Sequence, residues 1–413
     1  MENEKSLLLL GLDGLDPFLV RKFEDKLPNL ATLLEENNQL ESVLPPVTKP
    51  GWPSSFTGRL PETLGSFDMF ELDSGFDYKF SPPRNEKFAQ KSFWKHTDSK
   101  MAISGVPGSA VTELNGWIIG GPLGAEEKST YPEDLADELI SNFGEFDFDY
   151  DKPEEETRNE AIRKFRRNKK ILDYFLENKE ADIYFHVFRV TDTMMHHSSS
   201  HKQLLRAYKA CDEYLGELMD RDLEIIVLSD HGAVKTEKSY SMNTWFRDNG
   251  YLAMEGGSKS KRTPFWKKKV MNLGEKALQL GFKDQMVWLN DKYEALTGQK
   301  FRSMGKIDLD SVDWSQTETF SYTVATCRYA GIWINDDRFP QGIVEDRQQK
   351  KEELKEKIEQ IQLVERVILK EDAFVVDVDT FPDLVVVYEE GIKQDSQIRD
   401  TPISEINTYM HRK

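Results

Sequence analysis

Apolar, strand-like runs that stop at an aspartate recur in this chain. Ser6–Leu12 (SLLLLGL) leads into Asp13-Gly14, Asp182–Val190 (DIYFHVFRV) into Thr191-Asp192, and Leu223–Leu228 (LEIIVL) into Ser229-Asp230-His231-Gly232. A short apolar run bounded by turn residues suits a strand buried on both faces of a parallel sheet. The carboxyl edge of such a sheet is where open α/β folds gather their ligands. Helical spacing fills the intervals. Leu27–Glu36 carries Leu30, Leu33 and Leu34, and Glu154–Asn178 carries Phe165, Leu172, Phe175 and Leu176; His201–Met219 is also helical. Strand, helix, strand in alternation predicts an α/β fold with a doubly wound, mainly parallel sheet flanked by helices.

Further strands are expected at Leu40–Leu44, Met101–Val106, Thr317–Thr326, Gly331–Asn335, Phe374–Val378 and Leu384–Tyr388. Helices are expected at Tyr131–Phe143, Asn243–Asp248 and Glu345–Ile361. The Lys-rich segment Glu255–Asp308 changes character and reads as an inserted helical cap or lid. Residues 1–254 and 309–413 then form the catalytic domain, and 255–308 the inserted segment. The basic block Lys259–Lys269 reads first as a solvated helix entry, and second as a contact for an anionic substrate.

A formal net charge of −18 over 413 residues weighs against nucleic-acid duplexes and anionic membranes as partners. Cys211 and Cys327 are far apart and lack ligand spacing, which suits a reducing compartment. The N-terminal apolar run is short and meets Asp13 at once, so it reads as a strand and not a signal peptide. No run approaches the roughly 20 apolar residues of a membrane span. A cytoplasmic protein is the expectation.

A fourth polar position lies in Val43–Gly58 (VLPPVTKPGWPSSFTG). Pro45, Pro46 and Pro50 restrict the backbone around Thr48, and a helix is expected over Trp52–Thr57, with Gly58 ending it. A hydroxyl at a helix entrance sits among free N–H groups at the positive end of the dipole, a place for an anion and for a nucleophile that attacks phosphorus. Asp13, Thr48, Asp192 with His196, and Asp230 with His231 thus share one structural address. The Asp-x-x-x-His spacing puts Asp192 and His196 about one helical turn apart. Carboxylates with imidazoles suit zinc, manganese or iron(II) better than calcium. Two such groups suit a two-metal site in which one ion activates the Thr48 hydroxyl and the other takes phosphoryl charge. His96, His197 and His201 read as polar surface, and His186 as a hydrogen-bonded core residue.

The ordered motifs LLLLGLDGLD, PPVTKPGWPSSFTG, TDTMMHH and LSDHG resemble the alkaline phosphatase superfamily, specifically its type I phosphodiesterase / nucleotide pyrophosphatase branch. The likeness runs from the first residues to about residue 252 and resumes near Phe320. It implies an alkaline phosphatase-like fold, two divalent metal ions, zinc before manganese, and a phospho-threonine intermediate resolved by water. Asp13, Thr48, Asp230 and His231 match one metal site, with Thr48 also the nucleophile; Asp192 and His196 match the other. The family places a late histidine on this second site, and His411 is the only histidine after His231. In the family that histidine is soon followed by Gly and a further strand; here Arg412-Lys413 follow. Asp68, in GSFDMF, stands where a nucleotide pyrophosphatase carries a donating Asn. A carboxylate cannot donate unless protonated, which weighs against nucleotide diesters. Thr48-Lys49-Pro50 also lacks the sulfatase pattern C/S-x-P-x-R. The expectation is a metal-dependent hydrolase of small phosphodiesters or phosphomonoesters. Phosphotransfer, phosphonate cleavage and a non-catalytic metal-stabilised scaffold are the alternatives.

Overall fold

The structure, a computed structural model, describes residues 5–36, 40–81, 85–123, 130–144, 158–255, 309, 311–323 and 327–413. The expected cap, Glu255–Asp308, and its basic block lie outside the described residues except at the first position. In chain order the strands are β1 (Ser6–Leu12), β2 (Glu71–Leu72), β3 (Phe80–Ser81), β4 (Met101–Ser104), β5 (Gly116–Ile119), β6 (Thr130–Tyr131), β7 (Ile183–Phe188) and β8 (Leu223–Leu228). They continue with β9 (Gly232–Ser241), β10 (Thr319–Ser321), β11 (Tyr329–Ile334), β12 (Val364–Leu369), β13 (Leu384–Tyr388), β14 (Ile392–Asp395) and β15 (Ile403–Arg412).

The central sheet has the order β6-β5-β4-β7-β1-β8 and is parallel except for β6. β1 lies between β7 and β8, with Leu12 opposite Phe188 and Gly11 opposite Leu228. The three aspartate-terminated runs are therefore adjacent and in register, and their carboxyl ends share one edge. Side-chain alternation along β7 explains why both faces are covered. Tyr184 and Phe188 join Phe165, Phe175 and Leu215 in one core, while Phe185 and Val187 join Trp52, Phe56 and Trp94 in another. Helices Arg158–Asn178 and His201–Met219 cover the first face, and helix Thr48–Thr57 covers the second. This is the expected doubly wound α/β architecture.

Several elements differ from expectation. Leu40–Leu44 is not a strand. It is too short before Pro45-Pro46 to build a ladder, and Ser42 Oγ donates instead to the Asp230 carbonyl. The helix that follows begins at Thr48 itself, four residues before the expected start, and Pro50 occupies its first turn. β8 is half-exposed rather than buried, because it is the edge of the central sheet among the described residues. Phe374–Val378 is not a strand either. Val375 is 77% exposed, and the neighbouring strand is β12, whose charged residues hid it from an apolar reading.

β10-β11-β13-β12 forms a separate antiparallel sheet around an aromatic core that includes Phe320, Trp333 and Phe374. A third sheet, β14-β9-β15, joins the two regions of the chain. On either side of the expected cap, Met254 bridges Val312 and Glu255 N donates to Ser311 O at 2.9 Å, so the chain returns to where it left. No helix among the described residues is long and apolar enough to cross a membrane.

Candidate active site

Each strand end delivers its side chain through a specific local device. After β1 the chain turns at Gly14, whose φ is +74°. A Cβ there would lie 3.1 Å from the Asp192 Cα, so both the turn and the close approach require glycine. The Gly14 amide donates to Asp230 Oδ1 at 3.3 Å, tying the β1 turn to the end of β8. After β7 the chain enters helix Val190–His196, which places Asp192 in its first turn and His196 one turn later. After β8, Asp230 and His231 precede β9. β15 runs antiparallel to β9 with His411 opposite Ala233, and this long-range pairing carries the late histidine to the same edge.

Thr48 opens helix Thr48–Thr57, after Val47 in extended conformation. Gly51, one turn on, faces Asp230, and a Cβ at Gly51 would stand 2.9 Å from the Asp230 Cβ. The helix therefore approaches the carboxyl edge of β8 as closely as a bare backbone permits. Trp52, four residues after Thr48, donates from Nε1 to Asp13 Oδ2 at 3.2 Å.

The seven candidate residues Asp13, Thr48, Asp192, His196, Asp230, His231 and His411 converge. Thr48 Oγ1 lies 3.4 Å from His231 Nε2. His231 Nε2 is 3.4 Å from Asp230 Oδ2, 3.6 Å from Asp13 Oδ1 and 3.9 Å from Asp192 Oδ1. Asp192 Oδ1 is also 3.2 Å from His196 Nε2 and 3.7 Å from His411 Nε2. The potential ligand atoms of Asp13, Asp230 and His231 lie within 4.8 Å of one another, as do those of Asp192, His231 and His411. His231 thus stands between the two groups, its ring stacked on His411 at 3.8 Å.

The hydrogen-bond pattern divides each carboxylate in two. Asp13 Oδ2 is held by Trp52, Asp192 Oδ2 by Arg189 Nη2 at 3.4 Å, and Asp230 Oδ1 by Gly14. The opposite oxygens, Asp13 Oδ1, Asp192 Oδ1 and Asp230 Oδ2, are buried and accept no hydrogen bond. Buried polar atoms are ordinarily paired, so three orphans facing one point need an explanation. The imidazoles follow the same plan. Nδ1 of His231 contacts the Gly232 carbonyl at 2.9 Å, and Nδ1 of His411 contacts the Pro46 carbonyl at 3.2 Å. A carbonyl only accepts, so both Nδ1 atoms carry a proton and both Nε2 atoms are turned toward the orphan oxygens.

Charge tells the same story. Burial, then Asp230 and Asp192, pushes the Asp13 carboxyl well above its usual range; burial also raises Asp230. Asp192 moves the other way: burial opposes ionisation, but His196, Arg189 and His231 together hold it well below its usual range. His411 is pushed well below the usual imidazole range, by burial first and then by His231 and His196, so it stays neutral. Crowded carboxylates, imidazoles anchored through Nδ1 and orphan oxygens form a donor set that fits divalent cations with nitrogen and oxygen preference.

Sequence reasoning missed Trp52 and Arg189. Trp52 lies four residues after Thr48, on the same helical face, and Arg189 three residues before the Asp192 that it contacts. Asp68 lies buried, its Oδ1 accepting from the Met69 amide at 2.6 Å, and it acts electrostatically on Tyr322 and Cys327.

Comparison with known proteins bears on the fold and on the family. Phosphonoacetate hydrolase from Sinorhizobium meliloti 1021, solved with phosphonoformate, has a TM-score of 0.55 at 14% identity, over 98% of this chain and 86% of that one. Murine ectonucleotide pyrophosphatase / phosphodiesterase 5 has a TM-score of 0.52 at 13% identity, over 99% and 84%. At such identities these matches establish the shared fold. No curated protein sequence matches the chain. The family model for type I phosphodiesterase / nucleotide pyrophosphatase matches residues 7–405, and the chain belongs to that family of hydrolases.

Proposed function

We propose that the protein hydrolyses phosphate esters, diesters foremost, through Thr48 and a phospho-threonine intermediate. One observation carries this reading. A hydroxyl at a helix entrance contacts His231 Nε2, and three orphan carboxylate oxygens lie within 3.9 Å of that same nitrogen, at the carboxyl edge of a parallel sheet. Asp13, Asp230, His231 and Thr48 would hold one divalent ion, and Asp192, His196 and His411 the other. Bound there, such ions lower the pKa of a coordinated hydroxyl and take up phosphoryl charge. Zinc suits the donors best, and manganese is the alternative.

The chain's own groups do the rest. The Thr48–Thr57 helix directs the positive end of its dipole at an arriving phosphoryl group. Thr48 Oγ1 attacks phosphorus, an O–P bond forms, and the ester alcohol departs with a proton. Water then cleaves the O–P bond, releases phosphate or its monoester, and restores the hydroxyl. Burial of Asp13, Asp192, Asp230 and His411 keeps bulk water from weakening these contacts. A solved form of the murine fold relative is an inactive variant with threonine changed to alanine, in complex with AMP. That supports a threonine in the catalytic role.

The test is turnover of a bis-aryl phosphate in the presence of zinc or manganese. Chelation and Thr48→Ala should each abolish it, and brief quenching should trap an aryl phosphoryl group on Thr48 of the wild type. Activity that survives both treatments rules the mechanism out. Adding an acceptor alcohol separates hydrolysis from phosphotransfer by the products formed.

A further inference from the structure

Arg189 has no assigned part in the chemistry, yet it reaches carboxylates from both candidate metal groups. Its Nη2 is 3.4 Å from Asp192 Oδ2 and its Nε is 3.7 Å from Asp13 Oδ2. These are the outward oxygens, on the far side of each carboxylate from the orphans. Asp13 comes from the end of β1 and Asp192 from the first turn after β7, so a single guanidinium spans two neighbouring strand ends. The residue is itself well anchored. It immediately precedes helix Val190–His196, and its carbonyl accepts from the Thr193 amide at 2.9 Å. Its side chain is 30% exposed and lines a cleft together with Lys164, Asn168 and Thr193.

The geometry points to Arg189 as a positioning residue that sets the two metal positions jointly. Its Nη2 hydrogen bond turns the inward oxygen of Asp192 toward the ions, and its charge, within ion-pair distance of the Asp13 oxygen that Trp52 holds, offsets the repulsion between the two carboxylates. The guanidinium aims one N–H at Asp192 while its delocalised charge reaches Asp13, a combination that a lysine point charge does not reproduce. Two opposite effects follow from removing it. Loss of a nearby positive charge favours cation binding, while loss of orientation weakens it. Outer partners of metal ligands typically govern about ten- to a hundredfold of metal affinity, so orientation is expected to dominate. Because Asp13 and Asp192 belong to different groups, both ions should be affected, not one.

The inference rests on the two-metal reading, and a cobalt(II) titration of the metal-free full-length chain tests the two separately. Visible absorption reports the geometry around the ion, independently of turnover. Wild type should take up two ions; uptake of none or one refutes the metal reading itself. Arg189→Ala should bind both ions about ten- to a hundredfold more weakly, with a changed absorption band, and Arg189→Lys should restore part of the affinity but not the band. Melting of the metal-free variants shows whether they remain folded, and Arg189→Lys stands in if the alanine variant does not. Unchanged or tighter cobalt binding with an unchanged band overturns the inference. So does a raised KM at unchanged cobalt affinity, because it would make Arg189 a substrate contact.

Discussion

Two buried acidic clusters in this molecule are built on opposite principles. In the antiparallel sheet, Asp383 is fully buried and saturated. It accepts from the Ile334 amide at 2.7 Å, from Arg338 Nη2 at 3.0 Å and from Arg347 Nε at 2.7 Å. Asp336 beside it takes Arg338 Nε at 2.8 Å. At the carboxyl edge of the parallel sheet, Asp13, Asp192 and Asp230 each keep one oxygen with no hydrogen bond. The first cluster closes its own valences and holds a sheet together. The second leaves one oxygen of each carboxylate open toward a single point, and that asymmetry is the pattern expected to separate a ligand-binding cluster from a structural one.

Neutralising one acid from each cluster should separate the two roles with the largest effect. Asp230→Asn is expected to lose metal and to cut turnover by about a thousandfold or more, since metal stabilisation is worth several kcal/mol. In chelator its melting temperature should match or exceed that of wild type, because a buried, repelled charge has gone. Asp383→Asn should do the reverse. It leaves Arg338 and Arg347 undercompensated, costs about 3–5 kcal/mol of stability, and leaves the ions per chain unchanged. Denaturant unfolding and metal counting on the two variants decide the matter, and the comparison fails if both lose metal alike.

Metal removal gives the next largest effect. Two ions, each at a hundred to a thousand times its dissociation constant, should stabilise wild type by about 3–4 kcal/mol apiece, about 5–8 kcal/mol together, and chelation should remove that increment. The Asp383→Asn variant should lose the same amount, since separate sites add. Asp230→Asn should lose far less. Equal losses in both variants would mean that the ions bind elsewhere.

How much of this was legible in the sequence depends on the range of the interaction that positions each residue. Asp13, Asp230 and His231 sit within two or three residues of a strand end, and local pattern placed them. The six-residue β8 and the helix His201–Met219 were read to the residue for the same reason. The Thr48 helix was placed four residues late, because prolines in a first turn look the same as prolines in a loop until the turn is seen to close from Gly51 N to Val47 O. β9 and β15 were not read at all. Both are rich in polar residues, and only their pairing over some 170 positions of chain makes them strands. His411 could therefore be proposed from resemblance, but its place could not be derived from its neighbours. Apolar periodicity led to Val375 and Val376, which are exposed, and past Val364–Leu369, whose charges face outward.

Gly51 offers a finer probe of the open cluster. Ala is the better helix former, by up to about 1 kcal/mol, yet a Cβ at Gly51 meets the Asp230 Cβ at 2.9 Å. Helix Thr48–Thr57 must then move away from Asp230 and carry Thr48 with it. A displacement near 1 Å costs about a hundredfold in rate, so Gly51→Ala should lose kcat with little change in melting temperature. An equal kcat would mean that Thr48 is not the group whose position matters.

The smallest expected effect separates two buried histidines. His411 turns Nε2 toward the open cluster, whereas His186 on β7 is a core residue, its Nδ1 2.6 Å from Ser104 Oγ and its ring 4.2 Å from that of Phe188. Burial lowers the His186 pKa from 6.5 to about 3. The folded protein therefore keeps His186 neutral while the unfolded chain takes up a proton below 6.5. A depressed folded value contributes stability that is present above the unfolded pKa and declines as pH falls toward about 3. Between about pH 7 and pH 5 the decline attributable to this one group is about 2 kcal/mol. His186→Phe should flatten the slope of unfolding free energy against pH by that amount in metal-free protein, with His411 unchanged in both chains. Any fixed offset from the lost Ser104 contact cancels, because only slopes are compared. Parallel slopes would mean that His186 is solvated or proton-paired, and the contrast between a structural and a ligand-facing imidazole would lose its basis.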